Sequence, residues 1–221
     1  PFPHHHNVVM NTVRSADGTH RALDARFLYR DAHAASALAT AEMRHQLSSA
    51  LGVRWRPGRK SGWEIDGISP QVIGEFATRR SEIDDALREL EAEIGRGAHP
   101  KEIEHIVLRT RPAKNHTPAD DLVAAWRQRA ARHGLTADKL RAIYGETLDP
   151  ENQQENHPET QPDIVFALLA APDGICAGGS VFSASEALTA LVNVGVPDDN
   201  GEPQPLLVGA DEMLRLTGEF L

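Results

Sequence analysis

The chain reads as an α/β (α+β) protein: an antiparallel sheet fragment with helices packed on it, followed by a small, mostly helical module. Three observations predict this. Short β-branched or aromatic runs flank turn signals in the first 65 residues. Apolar residues at 3–4 spacing dominate most of residues 31–144. A run rich in Pro, Asn, Gln and Glu at 147–162 has no periodicity and reads as a linker, and helical patterns resume over 163–221. The domain reading is therefore 1–146, a linker at 147–162, and a module at 163–221.

The elements follow in order. His4-His5-His6-Asn7-Val8-Val9-Met10-Asn11 runs from three histidines into an apolar segment that reads as a strand. Strand side chains alternate, so His4 and His6 share a face with Val8 and Met10, and His5 shares the other with Val9 and Asn11. Apolar residues on both faces predict a strand buried on both sides, with its histidines at one end. Ser15-Ala16-Asp17-Gly18 is a hairpin turn, and 19–23 the returning strand. Asp24 is a good N-cap, and Phe27-Leu28-Tyr29 could pack as a short helical turn. Residues 31–51 favour helix, with Leu38, Met43, Leu47 and Leu51 at roughly helical spacing, alanines that allow close approach to a sheet, and Gly52 as C-cap. Residues 53–56 and 62–65 form a second hairpin around 57–61.

Ser69-Pro70 opens a short helix, hydroxyl at the N-cap and proline at N1. Residues 78–94 form an amphipathic helix with Ile83, Leu87, Leu90 and Ile94 on one face. His99-Pro100 starts a helix to about Thr110. Residues 111–114 break the pattern. Thr117-Pro118-Ala119-Asp120 caps a helix to His133, stopped by Gly134, and 136–144 is one more. In the last section 163–171 is helical, Ser183 or Ser185 caps 186–194, 195–208 is a turn between two extended pieces, and 211–220 is a final helix. Three helices with a small hairpin suit a winged-helix-like module.

With 40% hydrophobic and 25% charged residues, the chain has an ordinary soluble composition. Its longest apolar run, Ile164 to Ala171, is far too short to span a bilayer, and no signal peptide is visible. The lone Cys176 excludes an internal disulfide, fits a reducing cytoplasm, and reads as a small buried apolar side chain. The net charge of −9 is uneven: residues 1–146 hold 22 Lys/Arg against 19 Asp/Glu, a net of +3, and residues 147–221 hold Arg215 alone against 13 acids, a net of −12. The first part suits nucleic acid, and the second does not suit a phosphate backbone. The chain opens on Pro1 rather than methionine, and is read as a piece of a longer protein.

Two imidazoles at i and i+2 on one strand face can share a metal ion, which makes His4 and His6 candidate ligands. A catalytic site wants three protein ligands and an open position, so a third must come from elsewhere. His5 faces the wrong way. His20, His33 and His45 read as solvated or satisfied histidines. Arg54, Arg56, Arg59 and Lys60 interleave with Trp55 and Trp63, a pattern that suits single-stranded DNA, although alternation sets Trp55 opposite the arginines and favours the core for both tryptophans. Arg109, Arg111 and Lys114 form a second basic cluster. Arg79 and Arg80 begin a helix, a poor place for cations in its dipole, and hint at a partner.

Taken as an ordered series, these residues resemble the TrwC/TraI-type conjugative relaxases of the HUH endonuclease family. The resemblance runs through His4-x-His6-x-Val8-Val9-x-Asn11, Asp17-Gly18, Arg21-Ala22-Leu23-Asp24, Leu28-Tyr29-Arg30, Trp63-Glu64-Ile65-x-Gly67-Ile68, Phe76-x-x-Arg79-Arg80-x-x-Ile83, Thr110-Arg111-Pro112-x-Lys114 and Ala125-Trp126-Arg127. It covers about 4–145. Val181-Phe182-Ser183-x-Ser185-Glu186-Ala187-Leu188 is similar to the helicase-associated segment that follows in that family. The resemblance implies a nuclease that nicks one strand at a transfer origin. Three histidines hold a divalent metal on the scissile phosphate, and a tyrosine attacks phosphorus to leave a 5′-phosphotyrosyl bond and a 3′-hydroxyl.

His4 and His6 match two of those ligands. The family's tyrosines, third histidine and assisting carboxylate lie upstream of this strand and are absent here. Tyr29 and Tyr144 do not match the nucleophile, and no Gly-x-x-x-x-Gly-Lys-Ser/Thr motor motif occurs. The expectation is the C-terminal part of a relaxase domain plus the start of the next region, with no catalytic residue of its own. It would supply His4 and His6 for a divalent metal (Mg, Mn or Zn) and Arg54, Arg56, Arg109, Arg111 and Lys114 for DNA. Its implied partners are single-stranded origin DNA, the N-terminal part of the relaxase domain and other transfer-complex proteins, in a bacterial cytoplasm and without a membrane. The alternative is a non-catalytic DNA- or protein-interaction module, which needs no metal; a free-standing hydrolase using His33 or His45 ranks last.

Overall fold

The computed structural model describes residues 8–58, 62–111, 118–144, 161–179 and 181–221. The histidines at 4–6, the tip of the second hairpin at 59–61, Lys114 and nearly all of the 147–162 run lie outside them. The chain is mixed α/β, and it divides into two compact units. A helical unit covers 67–140, and a core unit takes the described residues of 4–66 and 141–221.

The core unit begins with a ladder between β1 (Val13–Arg14) and β2 (His20–Arg21). Its register pairs Val13 with Arg21 and Arg14 with His20. Gly18 closes the turn at φ +80°, a left-handed conformation that costs glycine nothing. Asp17 accepts both the backbone N–H and the hydroxyl of Thr19, at 3.0 and 2.7 Å. The expected strand over 4–11 is corrected in its described part. Residues 8–11 belong to no strand, and Val8 (91%), Val9 and Met10 are exposed instead of buried on two faces. A strand is held by its neighbours' hydrogen bonds, and the ladder begins only at Val13.

α1 (Arg26–Leu51) is the longest helix among the described residues, and Gly52 ends it at φ +60° as expected. Asp24 accepts the backbone N–H of Arg26 at 3.2 Å. Its buried face is not the leucine series. Ala34, Ala41, Arg44 and Ser48 are buried, and Met43 is exposed. The alanines admit other helices rather than a sheet: α8 (Ala184–Asn193) and α9 (Ala210–Phe220) pack on α1. With α7 (Pro162–Leu169) they bury Val165, Leu169, Leu188, Leu191, Val192, Met213 and Leu216 together with Ala34 and Ala41. The three helices expected over 163–221 are present, as is a hairpin of β5 (Gly195–Pro197) and β6 (Pro203–Pro205). They share one core with α1.

Polar groups finish this core. Glu42 of α1 accepts the Ala210 N–H at 2.7 Å and so caps α9. His45 Nδ1 donates to the Leu207 carbonyl at 3.0 Å, because a carbonyl can only accept. Arg44 is 1% exposed; its Nη2 donates to the Val192 carbonyl in the last turn of α8, and its Nε has no partner. Burial lowers that guanidinium to about 10. Ser183 caps α8 in a reciprocal box with Glu186. Cys176 is exposed on a short 3₁₀ turn, Ile175–Gly178, and is not the buried apolar side chain expected.

The second hairpin pairs β3 (Trp55–Pro57) with β4 (Trp63–Ile65), Arg56 opposite Glu64. Among the described residues the three strand pairs remain separate two-stranded antiparallel ribbons.

The helical unit holds α2 (Pro70–Phe76), α3 (Thr78–Ile94), α4 (Pro100–Arg109), α5 (Ala119–Arg132) and α6 (Ala137–Ile143), whose last residues pass Leu140. Their ends fall close to where the sequence put them. Ser69 caps α2, Gly95 ends α3 at φ +69°, and His99 opens α4 in a capping box with Glu102. Val72 and Ile106 are its buried apolar residues among those described, while Ile83, Leu87, Leu90 and Ile94 of α3 are only half-buried.

Candidate nucleic-acid interface

Arg54 is exposed just before β3. Arg56, within β3, ion-pairs with Glu64 at 2.9 Å. A partly exposed pair of this kind contributes about 0–1 kcal/mol, so a phosphate could compete with Glu64. The tryptophans between these arginines are not a stacking platform. Trp55 is buried, and its Nε1 donates to Ser48 Oγ at 2.9 Å, while that hydroxyl donates to the Val53 carbonyl at 3.0 Å. Trp63 is half-buried with its ring against Gly195, where an added Cβ would lie 3.4 Å from Cη2 and 2.9 Å from Pro203 Cβ. Glycine is what lets the two hairpins meet there.

Arg109 ends α4 and Arg111 follows it, both exposed. Cations at a helix C-terminus suit its dipole and stay available to a second anion. Lys114 lies outside the described residues. Arg79 has a partner within the unit. Its guanidinium donates to the Val107 carbonyl and, at 2.7 Å, to Thr110 Oγ1, and Thr110 Oγ1 donates to the Ile106 carbonyl at 2.8 Å. The cation that looked misplaced at the start of α3 thus serves the end of α4. Arg80 pairs with Asp84 at 3.0 Å. Arg54 and Arg56 belong to the core unit, and Arg109 and Arg111 to the helical unit.

The helical unit also carries an open groove of about 570 Å³ between the end of α2, α5 and α6. Phe76, Trp126, Arg127, Leu135 and Leu140 line it over Ala130, Ala131 and Ala137. Arg129 lies over the Phe76 ring, 5.0 Å from its centre. That guanidinium donates to the Glu75 carboxylate at 2.7 Å and to the Glu75 carbonyl at 2.6 Å. His133 Nε2 lies 3.2 Å from the other carboxylate oxygen. The bonds from Arg129 first, then from His133, hold the Glu75 carboxyl below its ordinary value. Phe76 and Trp126 stand in the motif series, but sequence reasoning gave them no site. The available signal was Trp126 and Ala130 at i and i+4, a local apolar face.

Among the described residues no group of three His, Cys, Asp or Glu could hold a metal. His20 and His33 are exposed, and His45 is bonded to Leu207. These residues do not fit a divalent ion, and His4 and His6 lie outside the described residues. Tyr29 is exposed on α1, and Tyr144 is partly exposed beyond α6. No helix among the described residues is long and apolar enough to cross a membrane.

The family model described as TrwC relaxase matches residues 1–133. The chain belongs to the TrwC relaxase family. Three solved structures of the conjugative relaxase TrwC are similar to this family member. The complex with mutant OriT DNA is 23% identical, with a TM-score of 0.48, over 57% of this chain and 44% of that one. The metal-free complex with OriT DNA is 24% identical, with a TM-score of 0.47, over 56% and 43%. The metal-bound complex is also 24% identical, with a TM-score of 0.47, over 56% and 42%. The chain thus spans less than half the length of these relaxases. No curated protein matches it.

Proposed function

We propose that this chain contributes the metal-binding and DNA-binding part of a conjugative relaxase, a protein that nicks single-stranded DNA at an origin of transfer with site and strand specificity. Membership of the TrwC relaxase family is the observation that carries this reading. His4 and His6 would be two ligands of a divalent ion, whose chemistry is to withdraw charge from the scissile phosphate. Arg54, Arg56, Arg109, Arg111 and Lys114 would neutralise phosphates and set the register of the strand. Arg56 exchanges Glu64 for a phosphate as it binds, while Arg109 and Arg111 add to the favourable charge already at the end of α4. The attacking tyrosine is neither Tyr29 nor Tyr144, so the chain alone binds a strand without cutting it. TrwC itself is solved with OriT DNA, in metal-free and metal-bound forms, which fits this assignment. Such a part would work in a bacterial cytoplasm, alongside the rest of the relaxase and other proteins of the transfer complex.

The test is metal binding together with DNA binding. Two imidazoles without the third ligand hold the ion weakly, so Mn²⁺ is titrated without desalting: wild type should show paramagnetic broadening of histidine signals that the His4→Ala/His6→Ala variant loses, with both binding single-stranded DNA at low salt. Equal broadening in both forms removes the histidines from the site. A wild type that takes no metal favours the non-catalytic interaction module.

A further inference from the structure

The α2–α5–α6 groove has a composition that the phosphate contacts above do not use. It is lined by two half-buried aromatic rings, Phe76 and Trp126, and by half-buried Leu135 and Leu140. Its volume, about 570 Å³, falls in the range of about 300–1,000 Å³ usual for ligand pockets. Ala130, Ala131 and Ala137 line the rest together with Arg127 and Thr136, so small side chains flank the aromatic faces. Phe76 is fixed in place, because Arg129 stacks on it and is itself tied to Glu75. The surrounding charge is cationic. Glu75 takes up the charge of Arg129, which leaves Arg127, Arg132 and Lys139 exposed over residues 126–140 against Asp138. Aromatic faces beside exposed cations match the chemistry of single-stranded nucleic acid, whose bases stack while the backbone meets positive charge.

We infer that this groove is a stacking pocket for an unpaired base of single-stranded DNA, with Trp126 as the platform and Arg127 on the adjoining phosphate. The inference rests on the DNA-binding reading above and adds a base contact to it. Apart from Arg127, assigned to the phosphate, and the Thr136 hydroxyl, which already accepts the Lys139 N–H, the lining is apolar, so the pocket accepts any base by its π-face rather than reading one sequence.

The test uses the full chain and two fluorescein-labelled oligonucleotides of equal length, one oligo-dT and one abasic throughout, with anisotropy read at several salt concentrations. Wild type binds oligo-dT more tightly than the abasic strand. Trp126→Ala loses about tenfold on oligo-dT, the size of one base–aromatic stack, and loses the preference, while its salt slope stays unchanged. Trp126→Phe, which keeps a ring, retains most of both and guards against a folding artefact. Arg127→Gln weakens both strands equally and lowers the salt slope by about one. If Trp126→Ala keeps wild-type affinity and preference, the pocket is overturned while DNA binding stands, and the groove is left to an apolar protein segment. If wild type binds neither strand at low salt, the DNA-binding reading fails and the pocket with it.

Discussion

The core unit and the helical unit solve the same packing problem in opposite ways. In the core unit α1, α7, α8 and α9 close around Val165, Leu191, Val192, Met213 and Leu216, each almost fully buried. In the helical unit only Val72 and Ile106 are buried among the described residues, and Ile103, Val107 and Leu108 of α4 remain exposed. Side-chain polar ties take up part of the difference: Arg79 to the end of α4, Arg96 to Glu102 at 2.9 Å, and Arg129 to Glu75 at 2.7 Å. A thin core held by such ties leaves apolar surface in a groove, where a ligand rather than another helix can cover it.

The sharpest way to break this comparison is to damage one unit and watch the other. Leu191→Ala should cost about 2–5 kcal/mol. Hydrogen exchange read by mass spectrometry should show peptides of α1 and α8 losing protection, with those of α3 and α4 unchanged. Loss across the whole chain would mean a single cooperative unit.

A smaller effect separates packing from charge in the core. Arg44→Ala leaves a cavity and an unpaired Val192 carbonyl, and should cost about 2–4 kcal/mol in urea denaturation. Arg44→Met should cost clearly less, because it fills the same space and removes a cation that burial disfavours. Smaller again, Arg79→Gln should cost about 1 kcal/mol, with the loss of protection centred on the last turn of α4.

The smallest effects are in acid. Glu102 is held down at about 2 by Arg96 first and the His99 N–H second. Asp31 is held at about 2 by Arg30 first and the Ser185 hydroxyl second. A carboxyl that is depressed on folding stabilises above its unfolded value, and that contribution fades as the pH falls through the folded one. Glu102 therefore ties the start of α4 down to a window between 4.5 and about 2. For Asp31 the window runs from 3.8 to about 2. Carboxyl titration by NMR should show Arg96→Gln raising Glu102 toward its ordinary value. Ser185→Ala should raise Asp31 by less than Arg30→Gln does.

What the sequence made legible was local. Helix ends rest on signals a few residues long, and Gly52, Ser69, His99-Pro100 and Ser183 all stand where a cap was expected. The partners of a face are set by distant chain and were not legible. Alanines 34 and 41 are the buried apolar part of the α1 contact and Leu38 packs half-buried beside them, because α8 and α9 come close over small side chains. No local signal marks Arg44 as buried, since its acceptor lies 148 residues away. The candidate site divides in the same way. Exposed Arg54, Arg109 and Arg111 could be picked out by charge alone. The Trp126 groove depends on three helices meeting, which no single periodicity announces.

The most direct test of the central claim is to mix this chain with a labelled single-stranded transfer-origin oligonucleotide and Mn²⁺. A native gel then reads binding, and a denaturing gel reads covalent product. The account predicts a shift that weakens steeply with salt and no protein–DNA adduct. A covalent tyrosyl adduct would contradict the claim that the nucleophile is neither Tyr29 nor Tyr144. A missing shift at low salt would contradict DNA binding itself.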